Sequence, residues 1–184
     1  MSELDSRYIT TRIEEADAKS RFSCGKHQLD YYFARHAFNN DREGIARTYV
    51  HRRALEDPEE FPRVLGFYTL SMATLPSELV PSNKKLPQFP VPVALIGRFA
   101  IDKRVQGKGL GEKLLFDVFE RVIDLVDAEN SVGCFGVIVD AKDEQAERFY
   151  AKYDFVTVCS EKWPRKMLLS MKEIRPAVEE LRAQ

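Results

Sequence analysis

Three glycines at alternate positions, Gly107, Gly109 and Gly111, separate a β-like run from a strongly amphipathic one, and no other stretch restricts the fold so tightly. The run before them, Val93-Ala-Leu-Ile-Gly-Arg-Phe-Ala-Ile101, has the branched, apolar content of a buried strand. The run after them places Leu110, Leu114, Leu115, Val118, Phe119, Val122, Ile123 and Val126 at the spacing of one helical face. A strand that turns through glycines into a helix builds an anion cradle. Glycine reaches positive φ, no Cβ obstructs an approaching group, and the first amides of the helix have no carbonyl partner. A diphosphate suits such a turn, although the glycines alone leave a plain connector open. The two commoner phosphate loops are excluded, because no Gly-Lys-Ser/Thr closes the cluster and the dinucleotide spacing of glycines is missing. The ligand is therefore expected to be neither a nucleoside triphosphate nor a nicotinamide dinucleotide.

A chain of 184 residues suits one domain with a full core, expected over 1–184 with a body at about 8–171 and a C-terminal helical tail at 172–184. Apolar residues make up 44% and charged residues 31%, and no segment reaches the roughly 18 uninterrupted apolar residues of a membrane helix. The first residues, Met-Ser-Glu-Leu-Asp-Ser-Arg, lack the apolar core of a secretory signal, so a cytoplasmic location is expected. Cys24, Cys134 and Cys159 form no metal-ligand pattern and read as reduced, core-type thiols. Net charge is −1, which does not decide about polyanions because local clustering governs such binding. Two basic groups stand out: Arg42, Arg47, Arg52, Arg53 and Arg63, and Lys84, Lys85, Lys103, Arg104 and Lys108 around the glycine turn. A solvated surface is the simpler explanation and a polyanion groove the alternative.

Along the chain, Tyr8–Ile13 reads as a short strand. Leu29, Tyr32, Phe33, His36 and Ala37 repeat at helical spacing in a helix from Lys26 that stops near Gly44, which places His36 on an apolar, structural face. Ile45–Arg53 and Val64–Met72 read as a hairpin across the acidic turn at 55–62. Five prolines between 74 and 92 (Pro76, Pro81, Pro87, Pro90 and Pro92) make that segment an extended connection. Phe135–Ala141 is a continuous apolar run typical of a central strand, followed by a helix at 143–153 that Asp140 or Asp143 can cap. Strands at 156–160 and 166–171 and a terminal helix at 175–182 complete an α/β order of β-α-β-β-β-α-β-α-β-β, with a mixed sheet of six to seven strands flanked by helices.

Gln106-x-x-Gly109-x-Gly111 resembles the Gln/Arg-x-x-Gly-x-Gly/Ala signature of the GNAT acetyltransferases, and Asp140-Ala-x-Asp-x-x-Ala-x-x-Phe-Tyr150 resembles the acceptor-side helix of the same superfamily. Phe22-Ser-Cys-Gly-x-x-x-Leu-Asp30, Gly66-Phe-Tyr-Thr-Leu70, Gly97-Arg-Phe-Ala-Ile-Asp102 and Val137–Tyr150 are similar to the GNAT toxins of bacterial toxin–antitoxin pairs, a likeness over roughly residues 8–171. Where that family usually ends the acceptor-side helix with Gly-Phe, this chain has Asp154-Phe155. Aspartate tolerates the left-handed conformation better than most residues, so the helix can still end there.

The resemblance implies transfer of an acetyl group from acetyl-CoA, with no metal, to a primary amine. Its toxin branch implies the α-amino group of an aminoacyl-tRNA as acceptor, a small DNA-binding antitoxin as partner, and dimers. It places Tyr150 beside the sulfur as general acid, a role suited to a phenol that stays protonated at neutral pH. It also implies strand-like bonds from Phe99, Ala100 and Ile101 to the pantetheine arm, and a diphosphate held by Gln106, Gly107, Lys108, Gly109, Leu110, Gly111 and Glu112. Asp143 and Phe149 would border the cofactor. A general base is not evident, and an α-amine of pKa about 8, lowered further by esterification of the neighbouring carboxyl, does not need one. Glu78 in the proline-rich segment stays open as a base. A GNAT enzyme for a small amine or a protein N-terminus, and a non-catalytic CoA-binding module, are the competing readings.

Overall fold

The computed structural model describes residues 7–81, 88–129, 131–159 and 162–183. Pro87, Lys84, Lys85 and Ser160 of the readings above lie outside the described residues, as does the N-terminal stretch before Arg7. The strands are β1 (Thr11–Arg12), β2 (Arg47–Arg52), β3 (Val64–Leu75), β4 (Val91–Ile101), β5 (Gly136–Ala141), β6 (Val156–Cys159) and β7 (Arg165–Ser170). The α-helices are α1 (Glu15–Ala18), α2 (His27–Tyr32), α3 (Phe38–Arg42), α4 (Leu110–Asp127), α5 (Glu144–Ala151) and α6 (Met171–Arg182), with a π-helical turn at Phe33–Ala37 joining α2 to α3. One seven-stranded sheet runs in the order β1-β2-β3-β4-β5-β7-β6. It is mixed: β4 and β5 are parallel, while β1–β2, β2–β3, β5–β7 and β6–β7 are antiparallel. The expected α/β order is present, with α1 added.

The chain forms two compact units, Met1–Ser71 with Gly97–Glu120, and Met72–Ile96 with Arg121–Gln184. In the first, Phe22, Phe33 and Phe67 pack with ring centroids 4.5 to 5.3 Å apart, together with Ile13, Ala37, Val50, Val64 and Ala100. The expected α4 face supplies Leu114, Leu115, Val118 and Phe119, all buried. In the second unit Leu75, Val80, Val91, Val93, Ile138 and Leu168 form the core. Helix α6 begins at Met171, four residues before the expected start, and buries Ile174 and Val178. Asp143 caps α5 by accepting from the Ala146 amide at 2.9 Å, whereas Asp140 takes the Lys166 ammonium at 2.6 Å. Asp154 has φ of 64°, so the helix ends through the left-handed residue expected there, and Gly44 does the same after α3 with φ of 74°.

One expectation is corrected and one alternative is set aside. His36 is exposed rather than on the apolar face, because the wider π turn rotates it away from the buried Phe33 and Ala37. The arginine cluster forms no free basic strip. Arg52 and Arg63 converge on Asp17, a fully buried carboxylate of α1, at 2.6 and 2.7 Å, and Arg47 donates to the Asp41 carbonyl at 2.9 Å. Arg42 pairs with Glu43, and Arg53 donates to the Pro58 carbonyl.

Burial raises the Asp17 pKa, but hydrogen bonds from Arg52, Arg63 and the Glu14 amide outweigh it and hold the carboxyl below its ordinary value. A depressed carboxylate stabilises the fold above the unfolded value near 3.8, and that contribution is lost as pH falls through the lower folded value. Asp17→Ala is expected to cost about 2–3 kcal/mol in urea unfolding at pH 7, below the usual toll for breaking a buried pair because both arginines reach water. The difference from wild type shrinks on acidification below about pH 4; a gap that stays constant with pH would contradict the assignment.

Candidate active site

The glycine turn belongs to the first unit. Gly107 and Gly109 have φ of 75° and 80°, and a Cβ built on either would meet nothing within 4 Å. The glycines are therefore required for backbone conformation and not for lack of room, and the space beside them is open to a ligand. The Lys113 amide closes the first turn of α4 on the Gly109 carbonyl at 3.3 Å. The amides of Leu110, Gly111 and Glu112 precede the first carbonyl a helix could offer them, which leaves donors of the kind an anion requires.

Buried bonds fix this turn from behind. The Asp102 carboxylate, fully buried at the end of β4, accepts from the Ser23 amide at 2.9 Å, the Arg104 amide at 3.0 Å and the Arg104 guanidinium at 2.8 and 2.9 Å. Burial opposes its ionisation, but the Arg104 bonds and the two amides win and lower its pKa. The Asp102 amide donates to the Leu65 carbonyl at 2.8 Å, and that of Lys103 to Ser23 at 2.9 Å. The Gln106 side chain donates to the carbonyls of Cys24 at 3.0 Å and Ile101 at 2.9 Å. Gln106 is thus a clamp on its own loop through its side chain. Arg104 is not a spare cation at the turn, because it also donates to the Glu60 and Arg21 carbonyls. Lys108 is exposed, with its ammonium 5.2 Å from the centre of the Phe61 ring. Phe99, Ala100 and Ile101 form the last strand residues before this corner, with Ala100 buried in the core.

Asp102 was not singled out as a site residue from sequence, and Arg104 was read only as a cation beside the glycine turn or a solvated one. The signal existed, since Asp102 closes the run Gly97-Arg-Phe-Ala-Ile-Asp102, but a single acid after a strand does not announce that it is buried.

Tyr150, Phe149 and Asp143 belong to the second unit. Tyr150 is only 5% exposed and packs against Phe149 and Phe155, with ring centroids at 5.1 and 5.4 Å. Burial pushes its phenol well above the ordinary value, so it carries its proton throughout the neutral range. Asp143 edges an open depression shared with Lys142, Glu144, Glu147, Trp163 and Arg165, its carboxylate engaged as the α5 cap. Glu78 lies exposed on a 3₁₀ turn at Ser77–Leu79. Cys24 is buried and its thiol is pushed up to about 11, first by burial and then by Asp30, which removes it as a nucleophile. Among the described residues no group of three or more His, Cys, Asp or Glu is placed to hold a metal ion, and no helix is long and apolar enough to cross a membrane.

Residues 93–169 match the family model described as an acetyltransferase (GNAT) domain. The chain is 33% identical over 169 residues to a tRNA-acetylating toxin of Mycobacterium tuberculosis, covering 91% of this chain and 94% of that protein. The structure of AtaT complexed with acetyl-methionyl-tRNAfMet superposes with a TM-score of 0.76 at 30% identity, over 91% of this chain and 97% of that one. A tyrosine-to-phenylalanine mutant of AtaT, bound to the C-terminus of the antitoxin AtaR and acetyl-CoA, gives a TM-score of 0.69 at 26% identity, over 95% and 98%. With a strand–glycine–helix turn of the right form and likeness along nearly its full length, the chain belongs to the GNAT acetyltransferases.

Proposed function

We propose that the chain moves an acetyl group from acetyl-CoA to the α-amino group of an aminoacyl-tRNA. The observation that carries the acceptor is the 33% identity, across 91% of the chain, to a protein named for acetylating tRNA. The donor rests on the open, positive-φ turn at Gly107 and Gly109, which fits a diphosphate and leads into the amides of Leu110, Gly111 and Glu112. Acetyl-CoA supplies a thioester open to attack and a sulfur that leaves as a thiolate. On this reading Gln106, Gly107, Lys108 and Gly109 present backbone amides to the diphosphate, and Asp102 and Arg104 keep that backbone from relaxing. Phe99, Ala100 and Ile101 offer strand edges to the pantetheine arm. Tyr150 offers its phenolic hydrogen to the departing sulfur, and Phe149 helps exclude water from that phenol.

The acceptor amine requires little help. An α-amine beside an ester is neutral in a large fraction of molecules at physiological pH, whereas a lysine side chain with pKa near 10.4 needs a base to deprotonate it. The likeness to AtaT held by AtaR makes an antitoxin the protein partner on the same reading.

Tyr150→Phe is expected to lower kcat by about 100-fold or more while coenzyme A still binds in calorimetry. Because burial raises the phenol, the wild-type rate should show no alkaline fall from its ionisation up to about pH 10; a descending limb near 9 that vanishes in Tyr150→Phe would refute a buried proton donor. Gly107→Ala and Gly109→Ala force a side chain into left-handed backbone at about 1–2 kcal/mol. Each should weaken coenzyme A binding roughly tenfold, with kcat at saturation little changed. Labelled acetyl-CoA offered with charged tRNAs, peptides and polyamines should mark the charged tRNAs; label confined to polyamines would end the tRNA reading, and label on nothing would favour a binding module.

A further inference from the structure

Tyr31 is 53% exposed. It belongs to a continuous series. The His27 ring lies nearly parallel to it, with centroids 6.2 Å apart and planes 19° apart, and the His36 ring meets it edge-on at 5.5 Å. His36 in turn lies 6.3 Å from Tyr32, whose ring carries the Arg98 guanidinium at 4.6 Å. The series depends on the π turn. In an α-helix residues five apart point about 140° away from each other, so Tyr31 and His36 could not meet. The wider turn at Phe33–Ala37 brings them together. Phe33 and Ala37 are four residues apart and would share a face in an ordinary helix, so the buried pair does not by itself call for the distortion.

The charges on this segment point the same way. Asp30 is occupied by the Ser23 hydroxyl and the Cys24 amide, and Asp41 by Arg12. Arg35 is exposed and enters no hydrogen bond or ion pair among the described residues. Exposed rings ending in a guanidinium, on a surface whose acids are already engaged, suit unstacked bases of a single strand, each of which offers a π face to a ring.

We infer that the His27–Tyr31–His36 series, with Tyr32 and Arg98, is the surface on which unpaired 3′-terminal nucleotides of the tRNA stack. This rests on the tRNA reading above. In a duplex the base faces are covered by the neighbouring pairs, so a ring ladder has use for the single-stranded end rather than the stem. The test is steady-state acetylation of aminoacyl-tRNA by wild type, Tyr31→Ala, Tyr31→Phe and Arg98→Ala, with thermal unfolding of each. Loss of one stacked base should raise KM for tRNA about tenfold in Tyr31→Ala, with kcat within about twofold. Tyr31→Phe keeps the ring and should restore the wild-type KM, and Arg98→Ala should raise KM while unfolding stays at the wild-type temperature. If wild type does not acetylate aminoacyl-tRNA, the underlying reading fails. If wild type does and Tyr31→Ala has an unaltered KM, the ladder alone falls. Unaltered KM with loss of a co-expressed antitoxin from Tyr31→Ala would assign the surface to a protein and overturn the proposal.

Discussion

The buried carboxylate of Asp102 is the interaction on which the glycine turn depends. Glycines give a backbone access to positive φ but also leave it free to relax, and a loop that relaxes presents no fixed set of donors to an anion. Asp102 removes that freedom by tying Ser23 and Arg104 to one point, through the Ser23 amide, the Arg104 amide and the Arg104 guanidinium. Charge-assisted bonds of this type contribute about 1.5–3 kcal/mol each, which offsets the desolvation of a fully buried acid. Gln106 adds a neutral clamp from the other side of the corner through Cys24 and Ile101. Rigidity at the turn thus comes from residues that do not themselves face the diphosphate on the proposed reading.

The legible parts of the fold were those written in long periodic runs. Helix α4 extends over 18 residues with its apolar face complete, and β5 is an uninterrupted apolar run, so both could be placed from side-chain spacing alone. Helix α1, four residues of mixed polarity whose one buried member is Asp17, carries no such period. It exists because Arg52 and Arg63, distant in sequence, neutralise that acid. The π turn was hidden for a related reason: Leu29, Tyr32, Phe33, His36 and Ala37 satisfy a 3.6-residue period, and only tertiary packing shows that one of the five leaves the face. The glycines of the turn were readable and the α5 cap was narrowed to Asp140 or Asp143, while the direction of the Gln106 and Arg104 side chains was not readable, since an amide or guanidinium beside an anion site can serve the ligand or the loop equally well.

The same limitation governs the reading of charge. A cluster of arginines in sequence looks like a polyanion surface, yet Arg47, Arg52, Arg63 and Arg104 are engaged with carboxylates or carbonyls inside the first unit. With Arg52, Arg63 and Arg104 paired to buried carboxylates, phosphate neutralisation by this cluster alone is a weak basis for holding RNA. Affinity then has to come in larger part from contacts that salt does not screen. Stacking is such a contact, and on the proposed reading the exposed rings of α2 supply it.

A buried tyrosine is a poor free acid, and this bears on how an acetyl transfer could use one. A thiol near 8.5 is a stronger acid than a phenol at or above 10, so passing a proton from Tyr150 to a thiolate is uphill by about 2 kcal/mol or more. The attacking amine reverses the balance, because once its nitrogen bonds to the acyl carbon its proton becomes labile and has to leave. On the proposed reading the phenol therefore acts as a hydrogen-bond donor that strengthens as negative charge grows on the sulfur and that finishes the cycle protonated. Packing against Phe149 and Phe155 assists both requirements: it strengthens that bond by excluding water, and it keeps Tyr150 from losing its proton to solvent between turnovers. An acceptor that arrives already neutral completes the scheme without a carboxylate base, and a lysine side chain would not.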